Sequence, residues 1–478
     1  MTLPVPAEAP ARSFVTHLEC ARCGARADHT TTAHLCTVPR GAQTEARSDE
    51  VEHSGPREGS PRPRVGEACG GPFLVRYDLE RIRSSVPRSV LSGRQHSLWR
   101  YRELLPLDDS SDAVSLGEGN TPLYELPVLG SKLGLHRLMV KDEGLLPTGT
   151  FKARGAAVGV SRAGELGVST IVLPTAGNAG SAWAAYGARA GIGVVVVMPA
   201  STPEVIRRET AAYGARTYLV EGSIADAGTI VKRAASEHGW YDASTLKEPY
   251  RIEGKKTMGF ELAEQLCWRL PDVIIYPTGG GVGLIGMWKA FEELRAVGWL
   301  PAGGPRPRFV AVQASGCAPI VKAFHEERDE SEPWPDPVTV AAGLRVPKAL
   351  GDFLVLRILR DSHGVALDVS DERILDMMRV VGLTDGLLAC PEGAAAFEAA
   401  YQLRQAGMIG EHEDVVVFNT RTGMKYFEQL QGPTPKTLAK GELVPRIERE
   451  LEEPDRFHRP LAVEGGRLRV ALDEEGQR

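Results

Sequence analysis

A chain of 478 residues, 42% hydrophobic and 25% charged, can bury a large core, and its length allows about two to four domains. A formal net charge of −6 argues against nucleic acid or an acidic membrane surface as the main partner. No apolar run reaches the roughly 18–20 residues that cross a bilayer. The opening MTLPVPAEAPARSF also lacks the apolar stretch of a secretory signal, so a cytoplasmic chain without structural disulfides is expected.

Residues 1–75 differ in composition from the rest. Cys20-x-x-Cys23 is followed by Cys36 and by Cys69-Gly-Gly. The stretch 37–68 is rich in Arg, Glu, Ser, Gly and Pro and nearly devoid of apolar side chains. It cannot offset its ordering entropy by burial and reads as a disordered insertion. With the insertion set aside, Cys36 and Cys69 form a second pair facing Cys20 and Cys23. Four thiolates in two short pairs suit a structural zinc ion. A ribbon that folds without metal, or a set of unrelated thiols, is the alternative. Cys267, Cys317 and Cys390 stand singly and read as buried small hydrophobes.

From about 76 to 430 strand and helix patterns alternate. Apolar, β-branched runs at Thr170–Leu173, Gly193–Met198, Val273–Tyr276, Phe309–Val312 and Val415–Phe418 are of strand length. Helical periodicity lies between them, at Ala179–Ala190, Glu204–Ala212, Gly259–Trp268 and Leu284–Leu294. This alternation predicts an α/β fold with a mainly parallel sheet covered on both faces. Ligands of such sheets gather at the carboxyl ends of the strands. After 431 the chain turns charged and reads as a surface extension, 431–478.

Four motifs carry chemistry. In Pro147-Thr148-Gly149-Thr150-Phe151-Lys152-Ala153-Arg154-Gly155, a lysine opens a helix of small residues. Alone it would be a solvated helix-start lysine. If the helix is tightly packed, the amine is buried, its pKa falls, and it can condense with an aldehyde. Thr175-Ala176-Gly177-Asn178-Ala179-Gly180 joins a strand to a helix, where backbone N–H groups suit a carboxylate. An ordinary turn with Asn178 as N-cap is the alternative. Thr278-Gly279-Gly280-Gly281-Val282-Gly283 again lies between strand and helix. Consecutive glycines let backbone wrap a phosphate, and the absence of a following Lys-Ser/Thr favours a compact monoester over a nucleotide. Asn419-Thr420-Arg421-Thr422-Gly423 places a hydroxyl at a strand end, within reach of a ring nitrogen, although turn chemistry explains it as well. An aldehyde, a phosphate and a neighbouring carboxylate together describe pyridoxal 5'-phosphate with an amino acid substrate.

Two further segments give the chain a family resemblance. Leu116-Gly117-Glu118-Gly119-Asn120-Thr121-Pro122-Leu123 resembles the LGEGxTPL signature of threonine synthases, and Arg251-Ile252-Glu253-Gly254-Lys255-Lys256-Thr257 their R-x-EG-x-KT segment. A short ribbon ending in CGGP is typical of bacterial members. Over roughly 15–36 and 69–430 the chain is therefore similar to the threonine synthase branch of the tryptophan-synthase-β-like pyridoxal phosphate enzymes. The resemblance implies a two-domain parallel-sheet fold with a small zinc-ribbon-like N-terminal extension and a smaller subdomain over roughly 155–265. Lys152 then matches the Schiff-base lysine and Phe151 the neighbour packed by the cofactor ring. Asn178 matches the asparagine on the ring 3-hydroxyl, and Gly279, Gly280, Gly281, Val282 and Gly283 the phosphate loop. Thr420 matches the hydroxyl facing the pyridine nitrogen, and Glu392 falls near the ring. Thr175, Ala176, Gly177 and Ala179 match the substrate carboxylate loop, with Arg251 and Lys256 as candidates for the leaving phosphate.

The pattern departs from the branch at three places. Ala153 stands where many threonine synthases carry Asp, Thr245 and Leu246 where phosphate-binding members often carry Asn and Ser, and Arg421 where a glycine is usual. The reaction implied is conversion of O-phospho-L-homoserine and water to L-threonine and phosphate. The alternative is a threonine or serine dehydratase or β-replacement enzyme of the same superfamily, which the FKxRG run favours. A cofactor-binding regulatory protein without turnover is a further alternative, resting on Arg421. The expected partners are a small amino acid and a second copy of the chain, with neither nucleic acid nor membrane.

Overall fold

The computed structural model describes residues 13–39, 68–108, 113–430 and 461–470. Most of the expected insertion at 37–68 and of the extension at 431–478 lies outside them.

Six strands form the larger sheet, in the order Val365–Val369, Arg308–Ala314, Val273–Pro277, Asp414–Asn419, Arg137–Asp142, Leu123–Glu125. All neighbours are parallel except the last pair. Side chains alternate between faces along a strand. Ile274, Phe309, Ala311, Val416 and Phe418 accordingly enter one core, while Val273, Ile275, Val310, Val312, Val415 and Val417 enter another. A sheet buried on both faces needs the near-continuous apolar runs by which its strands were legible. Four parallel strands form the smaller sheet, in the order Arg216–Val220, Gly193–Pro199, Thr170–Pro174, Tyr241–Asp242.

Two helices carry the functional segments, Lys152–Glu165 and Tyr250–Gln265. They cross at a pair of glycines. A Cβ at Gly254 would overlap the Arg154 carbonyl, and one at Gly155 would sit 2.9 Å from the Arg251 carbonyl oxygen. The helix expected over Gly259–Trp268 is thus the second half of a longer one that ends at Gln265. Beyond it, Cys267 and Trp268 are both left-handed, at φ 56° and 62°. Cys317 and Cys390 are buried as expected, but Cys267 is exposed, because it lies in this turn and not on the helix.

The N-terminal ribbon pairs Val15–Cys20 with Arg26–Ala27 and with Phe73–Tyr77, all antiparallel. It docks on the helix Tyr250–Gln265, where Tyr77 Oη donates to Glu253 Oε2 at 2.7 Å. Near the other terminus, Leu461–Glu464 and Arg467–Val470 form a hairpin. Within the segment expected as a charged surface extension, this hairpin packs against the body of the protein. Leu468 is buried in the large core, and the Arg373 guanidinium donates to the Gly466 carbonyl at 3.2 Å. The charged residues around it hid a four-residue apolar alternation. No helix among the described residues is long and apolar enough to cross a membrane.

Candidate active site

Lys152 is the first residue of its helix, and Phe151, Thr150 and Thr420 fix where that helix starts. Thr150 Oγ1 accepts from the Lys152 N–H at 3.0 Å, and the Thr420 carbonyl accepts from the Phe151 N–H at 3.0 Å. The start of the lysine helix is thereby tied to the carboxyl end of Asp414–Asn419. The Lys152 amine lies 4.2 Å from the centre of the Phe151 ring. Burial, reinforced by the Arg251 guanidinium and partly opposed by Glu392, lowers this amine to about 7. A lysine so perturbed is neutral in a large fraction near physiological pH, which an amine nucleophile or base requires.

The glycine motif supplies an anion cradle. Among the described residues, the N–H groups of Gly279, Gly280 and Gly281 have no acceptor, and they lead into the first turn of the helix Val282–Ala296. Gly281 is left-handed at φ 74°. Side chains at Gly279 and Gly283 would overlap the Gly343 carbonyl and the Tyr276 hydroxyl. Gly343 in turn donates to Glu392 Oε1 at 2.7 Å, and Tyr426 Oη donates to the same oxygen, whereas Glu392 Oε2 is buried without a partner.

A second cradle lies at Thr175–Gly180. The N–H groups of Ala176, Asn178 and Ala179 have no acceptor among the described residues. Thr175 Oγ1 holds the loop by accepting from the Gly177 N–H at 3.0 Å. Asn178 is not the N-cap. Gly177 occupies that position, and Asn178 opens the helix Asn178–Ala190 with its Oδ1 buried and unpartnered. An orphaned buried acceptor is costly and fits a polar group supplied by a ligand.

Arg251 is fully internal, not part of a surface ion pair. Its Nε donates to Glu248 Oε1 at 3.2 Å and Nη1 to Thr245 Oγ1 at 2.8 Å, and Nη2 donates to the Ala243 carbonyl. Thr245 also abuts the glycine loop, since a Cβ at Gly280 would lie 3.6 Å from its Cγ2. Leu246, the other departure, is buried at φ 66°. Such a conformation is uncommon for a bulky side chain and persists where the surrounding structure over-determines it, often beside functional sites.

Lys256 is not brought to this site. Its amine lies 2.7 Å from Glu253 and 2.6 Å from Glu293, over the Tyr77 ring, on the ribbon side of the helix. Lys255 is the lysine that faces Lys152. Its amine donates to the Phe151 carbonyl and lies 4.6 Å from the centre of the Phe151 ring. The helical period foretells this, because Arg251 and Lys255 are four apart and share a face. Arg421 is buried too. Its guanidinium stacks 4.2 Å from the centre of the Tyr426 ring, where Tyr426 carries Glu392. Thr420 Oγ1 lies 4.0 Å from the Cys390 thiol, a neighbour the sequence did not suggest.

The LGEG signature is held by buried charge. Glu118 accepts from Trp99, Tyr186 and the Leu116 N–H. Glu261 accepts from the Asn120 N–H at 2.7 Å and from Arg154 and Lys141. Burial raises the Glu261 carboxyl, but Arg154 and Lys141 outweigh it and hold it well below the usual range. Glu118 and Glu261 therefore fix the segment beneath the lysine helix, while Arg154, paired also with Glu143, carries the shared charge.

A buried lysine amine, two banks of unpaired N–H groups at strand ends and an orphaned asparagine suit the aldehyde, phosphate and ring of pyridoxal phosphate, and similarity to known proteins gives the class directly. Residues 114–420 match the family of pyridoxal-phosphate dependent enzymes. The threonine synthase of Methanocaldococcus jannaschii is 36% identical over 75% of this chain and 87% of its own length. That of Mycobacterium leprae is 30% identical over 70% of this chain and 92% of its own. Maize serine racemase shares the fold with a TM-score of 0.56 and 22% identity, covering 70% of this chain and 93% of that one. The chain belongs to the pyridoxal-phosphate dependent enzymes and, within them, to the threonine synthase family.

Proposed function

We propose that this enzyme converts O-phospho-L-homoserine and water to L-threonine and phosphate. The observation that carries the proposal is the position of Lys152, at the start of a helix tied to the carboxyl end of Asp414–Asn419 through Thr150, Phe151 and Thr420, with burial lowering its amine. When bound, pyridoxal phosphate supplies an electron sink for charge developing at the substrate's Cα. Lys152, Phe151, Asn178, the Gly279–Gly283 loop and Thr420 would hold it, and their free N–H groups and orphaned acceptor fit a phosphorylated ring. Thr175, Ala176, Gly177 and Ala179 would bind the substrate carboxylate. Lys152, as free amine, takes the α-proton, a task for which a pKa near the working pH is suited. Thr420 would offer the ring nitrogen a neutral hydroxyl rather than a carboxylate. Arg251 stands at the leaving-phosphate end, oriented by Glu248 and Thr245.

Phosphate release from O-phospho-L-homoserine by the cofactor-loaded enzyme, with threonine identified as product, tests the reading. Ammonia and 2-oxobutyrate formed from threonine, with no phosphate release, would move the chain to the dehydratases.

We further infer that Cys20, Cys23, Cys36 and Cys69 hold a structural zinc ion. Their four sulfurs lie within 4.8 Å of one another, with Cys20–Cys69 and Cys23–Cys36 each at 3.6 Å. A tetrahedral site with Zn–S bonds of about 2.3 Å has sulfurs about 3.8 Å apart. Elemental analysis should find one zinc per chain, lost in Cys20→Ser. The family resemblance also supports a cytoplasmic homodimer, and a sedimentation mass near 51.6 kDa would exclude the dimer.

A further inference from the structure

Lys255 is 1% exposed, yet among the described residues no carboxylate pairs with its amine. Among the described residues its hydrogen-bond partner is the Phe151 carbonyl. The other buried lysines on or against this helix are paired differently: Lys256 with Glu253 and Glu293, Lys141 with Glu261, and Lys289 with Glu253 and Glu293. A buried ammonium without a counter-charge is costly, so an isolated one marks a place that a ligand anion completes. The charges facing it are mainly positive: Lys152 and Arg154 from the lysine helix and Arg251 from its own, against the single carboxylate Glu143, which Arg154 already engages.

We propose that Lys255, together with Arg251, binds the phosphate of the substrate and selects phosphorylated over unphosphorylated amino acids. This rests on the phosphate-eliminating reading above and names the group that serves it. Three features place the anion at this end of the site. Lys255 and Lys152 share the Phe151 ring, at 4.6 and 4.2 Å from its centre. Arg251, one helical turn away, reaches Thr245, which borders the glycine loop. The glycine loop has its own free N–H groups for the cofactor phosphate, which leaves the lysine and arginine for a second one. Lys255 thus supplies charge at a site where Leu246 contributes no polar group. Burial, with repulsion from Lys152 and Arg251, pushes the Lys255 amine well below its ordinary range. A bound phosphate favours the charged form, so binding raises the protonated share of this amine.

The test uses the cofactor-loaded enzyme and the variant Lys255→Met, which keeps the length of the side chain and removes the charge. Inorganic phosphate is titrated calorimetrically in buffers of different ionisation enthalpy. The wild type should take up protons on binding phosphate, and Lys255→Met should bind at least tenfold more weakly without that uptake. Its KM for O-phospho-L-homoserine should rise at least tenfold. Lys255→Arg should recover part of the phosphate affinity, which a purely packing role would not produce. Equal phosphate affinity and equal proton uptake in wild type and Lys255→Met overturn the assignment. So does a variant whose cofactor affinity alone falls, since the lysine would then serve the cofactor phosphate. If the wild type releases no phosphate from O-phospho-L-homoserine, the underlying reaction fails instead, whatever the titration shows.

Discussion

The reactivity proposed for Lys152 comes from where its helix begins. Its amine is lowered to about 7 by burial first and Arg251 second, against about 10.4 for an unperturbed lysine. A lowered pKa means that the free amine predominates above about pH 7 and is lost as the pH falls through it. In the cofactor-free protein, capture of pyridoxal phosphate should rise with pH and reach half its plateau near pH 7. A rate still climbing at pH 9 would show an unperturbed lysine. Arg251→Met removes the repulsion and should move the midpoint upward. Lys152→Ala should abolish both turnover and the cofactor's visible absorbance.

The helix crossing carries this geometry. Gly254 and Gly155 let the Tyr250–Gln265 and Lys152–Glu165 helices touch backbone to backbone, and only that approach sets Arg251 and Lys255 against the lysine. Gly254→Ala forces a methyl into the Arg154 carbonyl. It should destabilise the fold by about 1–3 kcal/mol, the usual cost of overpacking, and lower activity at temperatures where the protein stays folded. A urea midpoint and kcat unchanged from wild type would show that the crossing is loose. The same crossing explains what the sequence could and could not disclose. The glycine loop and the lysine turn are local, so Gly279–Gly283 and Phe151–Lys152 were legible from composition and spacing. The choice between Lys255 and Lys256 was legible in the helical period, which puts Lys255 on the face of Arg251, but only the helix crossing shows that this face meets Lys152. Asn178 looked like an N-cap because its side-chain chemistry suits one, but Gly177 fills that role and leaves the amide free. Tyr241–Asp242 is too short to show a period, and its pairing with Thr170–Pro174 comes from the sheet.

The described residues join a cysteine ribbon, a mostly parallel sheet, a smaller parallel sheet and a hairpin through buried contacts. The ribbon reaches the helix Tyr250–Gln265 through Tyr77, Glu253 and Lys256, and the far end of the lysine helix through Arg162, which donates to the His29 carbonyl at 2.8 Å, while Lys255 and Arg251 face the lysine. Removing the zinc proposed for the ribbon with a chelator should therefore lower the melting temperature and leave the cofactor absorbance in place at low temperature. Immediate loss of the absorbance on chelation would mean that the ribbon shapes the site directly. The claim on which all of this depends is that Lys152, and not its buried neighbour Lys255, carries the cofactor. Borohydride reduction of the loaded enzyme, followed by peptide mass spectrometry, decides it. A pyridoxyl group on the peptide containing Lys152 is the predicted result, and one on Lys255 would contradict the account.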